Sequence, residues 1–398
     1  MSVTRAASAV QTSFALSEEH DDFRSAVAAF AAEQLAPHVA RWNAAHQLPL
    51  EAVEQMGKFG LFGLSCPEAY GGAGDFTSLC IAIEEIGRVD QSLGITLESA
   101  VGLGINPIAR FGTVEQQDRW LPDLVAGRTL AGFGLTEPEA GSDAGATRTR
   151  ATLQGTEWLL NGAKQFITNA GTDITSLVTV TARTGTRDNG KAELSTIIVP
   201  SGTPGFTVGP AYDKLGWHAS DTHPLTFSDV RVPEDHLLGE RAKGFSQFLS
   251  ILDEGRVAIA ALALGCIRAC RDLAVAYALD RSSFGGPIGR KQGVAFPLAD
   301  LDVMAHAAHL LVYAAAAMKD QGCGGPAFRR SAAIAKLYAC ESAVSATRIA
   351  TQVFGGYGFM EEYPIARFYR DAKVLEIGEG TSEVQRLLIG RGLGLPVE

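Results

Sequence analysis

The feature that most restricts the fold is a change of hydrophobic period in mid-chain. Between Ala131 and Val232, short runs rich in Thr, Val and Ile, such as Ser176 to Ala182 and Leu194 to Val199, alternate with clusters of Gly, Asn, Asp and Pro. That pattern is one of short strands and turns. On both sides the period is helical. Upstream, Ser17 reads as an N-cap followed by Glu18 and Glu19, with Phe23, Val27 and Phe30 on one face. Further helices are expected over Glu51 to Phe62, Ser78 to Ile86 and Val114 to Ala126, punctuated by Pro37, the Pro67 to Asp75 loop and the Gly102 to Pro107 stretch. Downstream of Gly239, long Ala-rich helices are expected through Leu262 to Tyr277, Leu298 to Met318 and Phe328 to Val353. The expected architecture is α+β and mainly α. It comprises an N-terminal helical domain over residues 1–130, a small antiparallel β domain over 131–238 and a C-terminal four-helix-bundle-like domain over 239–398. Within the β domain, Asn161-Gly162 and Asn189-Gly190 read as type I′ turns, and the alternation of Trp158, Leu160, Phe166 and Thr168 reads as a hairpin strand.

Composition excludes several classes. A chain of 398 residues that is 46% hydrophobic and 20% charged, with mean hydropathy +0.09, has enough apolar content for a large core and lacks the signature of disorder. The net charge of −10 disfavours a generally basic nucleic-acid surface. Six scattered cysteines with no CxxC pair indicate neither a disulfide framework nor a zinc ribbon. A reducing cytoplasm is therefore the expected compartment. Met1 to Ser17 lacks the basic flank and apolar stretch of a signal peptide, and its single Arg5 is unlike a transit peptide. The longest apolar stretch, Val257 to Ile267, falls short of the roughly 20 residues that span a bilayer, so no membrane span is expected. Apolar faces in excess of what one bundle buries point to oligomerisation.

Neither GxGxxG between a strand and a helix nor GxxxxGK[ST] occurs. His306 and His309 lack an HExxH context and read as satisfied or surface histidines, so no metal site is expected; Cys266 and Cys270, one turn apart in an apolar helix, read as core. Three segments carry chemistry. AGFGLTEPEAGSDAGA, from Ala131 to Ala146, surrounds Thr136 and Ser142 with small residues; it reads either as a loop that holds an anion or a flavin edge or as a strand with a turn-rich connection. RSSFGGP, from Arg281 to Pro287, breaks two helices and sets a cation and an aromatic close together; Arg281 suits either bidentate phosphate contact or a helix C-terminus. In the segment from Glu376 to Glu383, Glu379 lies in a glycine-flanked turn before a helix that starts near Thr381 or Ser382. A carboxylate there is a general base if burial desolvates it, but spacing alone does not choose among Glu376, Glu379 and Glu383.

Taken together, LTEPEAGSD (Leu135 to Asp143), QFITN (Gln165 to Asn169), LDEGR (Leu252 to Arg256), RSSFGGPI (Arg281 to Ile288), FGGYGF (Phe354 to Phe359), RDAK (Arg370 to Lys373) and EGTSEVQR (Glu379 to Arg386) resemble the acyl-CoA dehydrogenase family. Each is short, but they occur in one order over almost the whole chain. The resemblance implies the same helix, β, helix order and a non-covalent FAD between the β domain and the C-terminal bundle of a homotetramer. By motif position, Phe133, Leu135, Thr136, Ser142, Phe166 and Thr168 surround the flavin, with Thr168 near its N5. Arg281, Phe284 and Gln292 reach the FAD of a neighbouring subunit, Gln352 and Gly356 lie near its adenine half, and Thr381 and Glu383 close the pocket.

The resemblance makes Glu379 the base for α,β-dehydrogenation of an acyl-CoA thioester to the trans-2-enoyl-CoA. The β-hydrogen leaves as hydride to the flavin, and electrons pass to an electron-transferring flavoprotein. The carbonyl is polarised by the Glu379 N–H and a flavin ribityl hydroxyl, in an oxyanion-hole arrangement. Ser142, Asp253, Arg256, Gly378 and Gly380 are the implied acyl-CoA contacts, with Arg256 and Arg281 as cations for the phosphates of CoA and FAD. The alternative base position of the family is here Gly255, and a helix rotation of about 100° turns Glu254 elsewhere. Phe166 stands where many members carry tryptophan, and Gly378 where straight-chain enzymes often carry tyrosine, which implies room for branched or bulky short acyl groups. Other readings on this scaffold are an oxidase that admits oxygen, an enzyme acting on carrier-bound acyl groups, a nitroalkane oxidase-like enzyme, against which Glu379 argues, and a non-catalytic nucleic-acid-protecting flavoprotein, against which the charge argues.

Overall fold

The computed structural model describes residues 16–397; the expectation that Met1 to Ser17 is neither a signal nor a transit peptide falls, but for its last two residues, outside them. The N-terminal helices are α1 (Glu18–Phe30), α2 (Val39–Ala45), α3 (Leu50–Lys58), α4 (Phe76–Val89), α5 (Gln91–Glu98), α6 (Asn106–Phe111) and α7 (Val114–Val125). Local chemistry sets their starts: Ser17, Asp75 and Asp90 each accept a backbone N–H at an N-cap, and Thr113 with Gln116 forms a capping box. The Gly102 to Pro107 stretch does not break the helix. From Ser99 to Ile105 the chain continues as a π-helix into α6, and Pro107, which has no N–H to donate, sits just past the point where the π-helix gives way to α6.

The sheet is formed by β1 (Leu130–Gly134), β2 (Arg150–Gln154), β3 (Glu157–Thr168), β4 (Thr175–Thr186), β5 (Ala192–Pro200), β6 (Phe206–Val208), β7 (Thr222–Pro233) and β8 (Leu237–Leu238). Its order is β6-β7-β3-β2-β4-β5-β8, with β1 also on β4. Most pairings are antiparallel, but β1 and β2 each run parallel to β4, so the sheet is mixed. Asn189-Gly190 lies in the turn between β4 and β5, with Gly190 at φ 78°. Asn161-Gly162 is not a turn; it lies inside β3, where the register against β7 shifts. The glycine serves close approach there, since a Cβ on Gly162 would lie 2.5 Å from Thr149 Oγ1. A second shift between Lys164 and Ile167 moves Phe166 to the outside while Trp158, Leu160 and Ile167 stay in the core.

The C-terminal bundle comprises α8 (Gly244–Asp280), α9 (Gln292–Asp320), α10 (Gly325–Phe354), α11 (Pro364–Ala372) and α12 (Ser382–Gly392). Among the described residues, α9 is the one helix long and apolar enough to cross a membrane by length and composition, although polar residues interrupt every apolar run in it. In this structure it packs against α8, α10 and α4. The N-terminal helices and the bundle share one core, and α4 carries its charges into it. Glu84, fully buried, is bonded by Arg24 and the Tyr313 hydroxyl and paired with Arg268, while Glu85 is paired with Arg24 and Arg268.

Candidate active site

The turn between α11 and α12 brings the acidic segment to the junction of the N-terminal helices and the bundle. Its three carboxylates part company there. Glu376 pairs with Lys373 at 2.5 Å, and Glu383 lies exposed in the first turn of α12, where helix N–H groups and Thr381 hold its carboxyl below the usual range. Glu379 turns inward: both carboxyl oxygens are buried although its backbone is half-exposed. A left-handed φ of 51° aims it, and Gly380 follows at φ 93°. Such a conformation is unfavourable for a residue with a Cβ and persists only where surroundings over-determine it. Here Lys336 Nζ and Gln385 Nε2 each donate to the Gly380 carbonyl at 2.8 Å, and the Thr381 hydroxyl caps α12.

Gly255 on α8 makes the room. A Cβ there would overlap Glu379 Oε2 and lie 2.8 Å from its Cδ. Glu254 points elsewhere, held by Arg110 at 2.6 Å and Lys319 at 2.7 Å. Asp253 and Arg256 are both buried, paired with each other, and Arg329 reaches Asp253 at 3.2 Å. Arg256 is buried, with its charge acting on Glu379. Burial raises the Glu379 carboxyl above its ordinary range, opposed by the neighbouring Glu98 carboxyl and by the charges of Lys336 and Arg256. Glu98 and Lys336 were not singled out from sequence. The available signal was a single charge inside an otherwise mostly apolar helical run.

A second cluster forms at the sheet edge. Phe133, next to last in β1, stacks on Phe248 of α8, with Leu135 packed beside them. Thr136 and Thr168 are half-buried and Ser142 is exposed. The loop is tied down by Lys164, whose buried Nζ meets Glu137 at 2.8 Å, the Leu135 carbonyl at 3.1 Å and Thr181 at 3.0 Å. Glu137 in turn accepts the N–H groups of Arg148 and Thr149. Phe166 stands out at φ 61° with 59% of its surface exposed, its ring 5.2 Å from that of Tyr212.

The structure sets Arg281 and Phe284 apart from both clusters, on the projecting loop between α8 and α9. Phe284 is 91% exposed, and Arg281 lies over the Tyr357 ring. Gln292 at the start of α9, and Gln352 and Gly356 at the end of α10, are also exposed. Among the described residues no group of acids, histidines and cysteines could hold a metal, and all six cysteines are free.

Family models for the N-terminal, middle and C-terminal domains of acyl-CoA dehydrogenase match residues 17–128, 132–230 and 242–394. The chain belongs to the acyl-CoA dehydrogenase family, which is flavin-dependent, and is an oxidoreductase acting on acyl-CoA. It is 45% identical to a probable acyl-CoA dehydrogenase of Bacillus subtilis over 96% of this chain and 99% of that one. The solved butyryl-CoA dehydrogenase of Megasphaera elsdenii superposes with a TM-score of 0.91 at 41% identity, covering 96% of this chain and 100% of that one. A chain solved in work on the electron transferring flavoprotein of Acidaminococcus fermentans and flavin-based electron bifurcation superposes equally well, with a TM-score of 0.91 at 39% identity over 96% and 99% of the two chains.

Proposed function

We propose that this enzyme removes the α and β hydrogens of a short-chain or branched acyl-CoA, with Glu379 as base, FAD as oxidant and an electron-transferring flavoprotein as acceptor. One observation carries the assignment of the base: Glu379 alone of its acidic segment turns both carboxyl oxygens into the interior, into space that Gly255 leaves open. A buried carboxylate is a stronger base than a solvated one. Its N–H donates to no backbone carbonyl among the described residues, which leaves it for the thioester oxygen. Gly378 and Gly380 add no side chain beside the thioester, and this supports acceptance of branching. The butyryl-CoA dehydrogenase likeness supports a short chain.

The residues at the sheet edge fit a flavin. Phe166 offers an exposed ring, and Thr136, Ser142 and Thr168 offer hydroxyls to a polar ring edge. Arg281, with no carboxylate within 4.0 Å among the described residues, offers a charge to a diphosphate, beside Phe284, Gln292, Gln352 and Gly356. When bound, FAD supplies acceptance of the β-hydrogen with its electron pair. Thr381 and Glu383 stand at the near end of α12, and Asp253 holds Arg256 against the base. Exposed Leu279, Phe284, Phe296, Val303 and Leu310 along α8 and α9 support a homotetramer, which sedimentation at micromolar concentration would register as four chains. Domain boundaries near 130 and 238 remain our proposal.

The deciding experiment is anaerobic bleaching of the bound flavin by linear and branched acyl-CoA thioesters. Wild type should bleach fastest with short substrates, branched ones within about tenfold of butyryl. Glu379→Gln should keep the flavin and lose at least about 10⁴-fold in bleaching rate, the upper range for a general base. Bleaching at the wild-type rate in that variant would refute the assignment of the base. Peroxide formed under air at the rate of substrate use would replace the flavoprotein acceptor by oxygen.

A further inference from the structure

The end of β3 carries Phe166 and Thr168, and it is bracketed by two residues with left-handed backbone, Phe166 at φ 61° and Asn169 at φ 59°. Such conformations persist only where their surroundings over-determine them. Here the connection between β6 and β7 supplies the hold. The Tyr212 ring packs against Phe166, and the Tyr212 N–H donates to the Thr222 carbonyl at 3.1 Å. Asp221 accepts the Asn169 N–H at its carbonyl, 3.4 Å away, and the Gly171 N–H at Oδ2, 2.9 Å away. His223, second in β7, paired with Ile167 in the sheet and nine-tenths buried, ties both ends of this connection together. Its Nδ1 lies 2.7 Å from the carbonyl of Gly209, just after β6, and its Nε2 lies 2.7 Å from Asp221 Oδ1, just before β7. The ring lies against Gly171, where a Cβ would come within 2.4 Å of it. A carbonyl and a carboxylate both accept and neither brings a proton, so both ring nitrogens must donate. The closed arrangement is that of an imidazolium; a neutral ring would set one nitrogen lone pair against an acceptor oxygen.

We propose that His223 is a positioning residue for the flavin: as an imidazolium it closes the β6–β7 connection onto the end of β3, and loss of its proton opens that connection and weakens FAD binding. This rests on the reading that Phe166 and Thr168 line the flavin. The flavin-binding arrangement holds a proton that the open one has released to solvent, so binding weakens as pH rises. Asp221 is the one acid within 4.0 Å of the ring nitrogens among the described residues, and Asp173 of the Gly171 turn lies beyond that distance. Lys164 of β3 is turned to Glu137. On the connection itself, Lys214 donates to the Ser220 carbonyl at 2.6 Å, and the Trp217 N–H donates to Asp371 of α11. His218, stacked on His46, is held below its usual range by burial and then by its neighbour, so it titrates on the acid side.

The test is the dissociation constant for FAD, read by the return of flavin fluorescence as the holoenzyme is diluted, at a series of pH values from about 6 to about 9. Wild type should bind about tenfold more weakly at the top of that window than at the bottom, and never by more than about tenfold per unit, the limit for one proton. His223→Gln, which carries no charge at any pH, should bind about tenfold more weakly than wild type at the acid end, the loss of one charge-assisted hydrogen bond, and show no slope. A flat wild-type profile overturns the proposal. So does a slope that survives in His223→Gln, which places the proton on Asp371, Lys164 or His218, and so does a variant that binds as tightly as wild type at the acid end. Should His223→Gln not fold, His218→Gln and Asp371→Asn decide: a slope unchanged in both supports His223, and a slope lost in either overturns it. Phe166→Ala with wild-type FAD affinity sinks the flavin site itself; a weakened Phe166→Ala beside a His223→Gln that matches wild type at every pH sinks this proposal alone.

Discussion

At the residue scale, the site depends on a side chain that is missing. Gly255 occupies an ordinary helical position, so its value lies in the volume it leaves to Glu379. Gly255→Ala should leave α8 intact, since alanine is the better helix former, yet displace the carboxylate by about an ångström. Turnover should fall by about 100-fold or more with flavin content and melting temperature close to wild type, as measured by steady-state assay and thermal denaturation. The glycine was readable in LDEGR, and so was the glycine-flanked turn at Glu379. Choosing Glu379 over Glu376 and Glu383 needed the backbone, because a φ of 51° and a neighbouring lysine leave no mark on spacing. Glu98 was hidden for a related reason: it lies in a run that looked punctuated by glycine and proline and is in fact continuous helix.

At the scale of elements, β1, β3 and the Leu135 to Asp143 loop are joined by one buried ion pair. Lys164 is fully buried and Glu137 nearly so, and burial lowers the lysine to about 8 against the pull of Glu137. Removing one partner strands a charge. Lys164→Met should therefore cost about 3–5 kcal/mol in denaturant unfolding, whereas Lys164→Met with Glu137→Gln should recover most of that loss. A double variant no more stable than the single one would show that the lysine contributes packing alone. Strand existence and most helix starts were legible from period and caps. The Asn161-Gly162 dipeptide misled because a glycine that lets Thr149 approach looks the same in sequence as a glycine that turns a hairpin. Parallel pairing of β1 and β2 with β4 is a long-range choice that no local signal encodes.

At the scale of the whole molecule, all three parts meet around Asp371. Its Oδ1 accepts the Trp217 N–H from the connection between β6 and β7, while Asp90 just before α5 faces it, bonded to Asn43 at 2.8 Å and paired with Arg367 at 3.3 Å. His46 and His218 stack beside this joint at 3.9 Å. Burial, then the charge of Asp90, pushes Asp371 from 3.8 up to about 7. Between those values the native state holds a proton that the unfolded chain has released, so this group's share of stability falls as pH rises, by up to about 1.4 kcal/mol per unit. Asp371→Asn keeps a carbonyl for Trp217 and removes the titration. The difference in unfolding free energy between variant and wild type should grow from pH 4 to 7 and be flat above; a constant difference would place the proton elsewhere. The shared core also bears on how the chain comes into being. Glu84 is synthesised early, but Arg268 and Tyr313, which neutralise and bond it, emerge far later. Of the groups that hold Glu84 only Arg24 is made before it, so until α8 and α9 emerge the N-terminal helices hold that acid with one of its three partners. The molecule is completed only when its C-terminal bundle arrives, and a fragment cut at a domain boundary keeps the Arg24 pair but lacks the Arg268 guanidinium and the Tyr313 hydroxyl that complete the shell of Glu84.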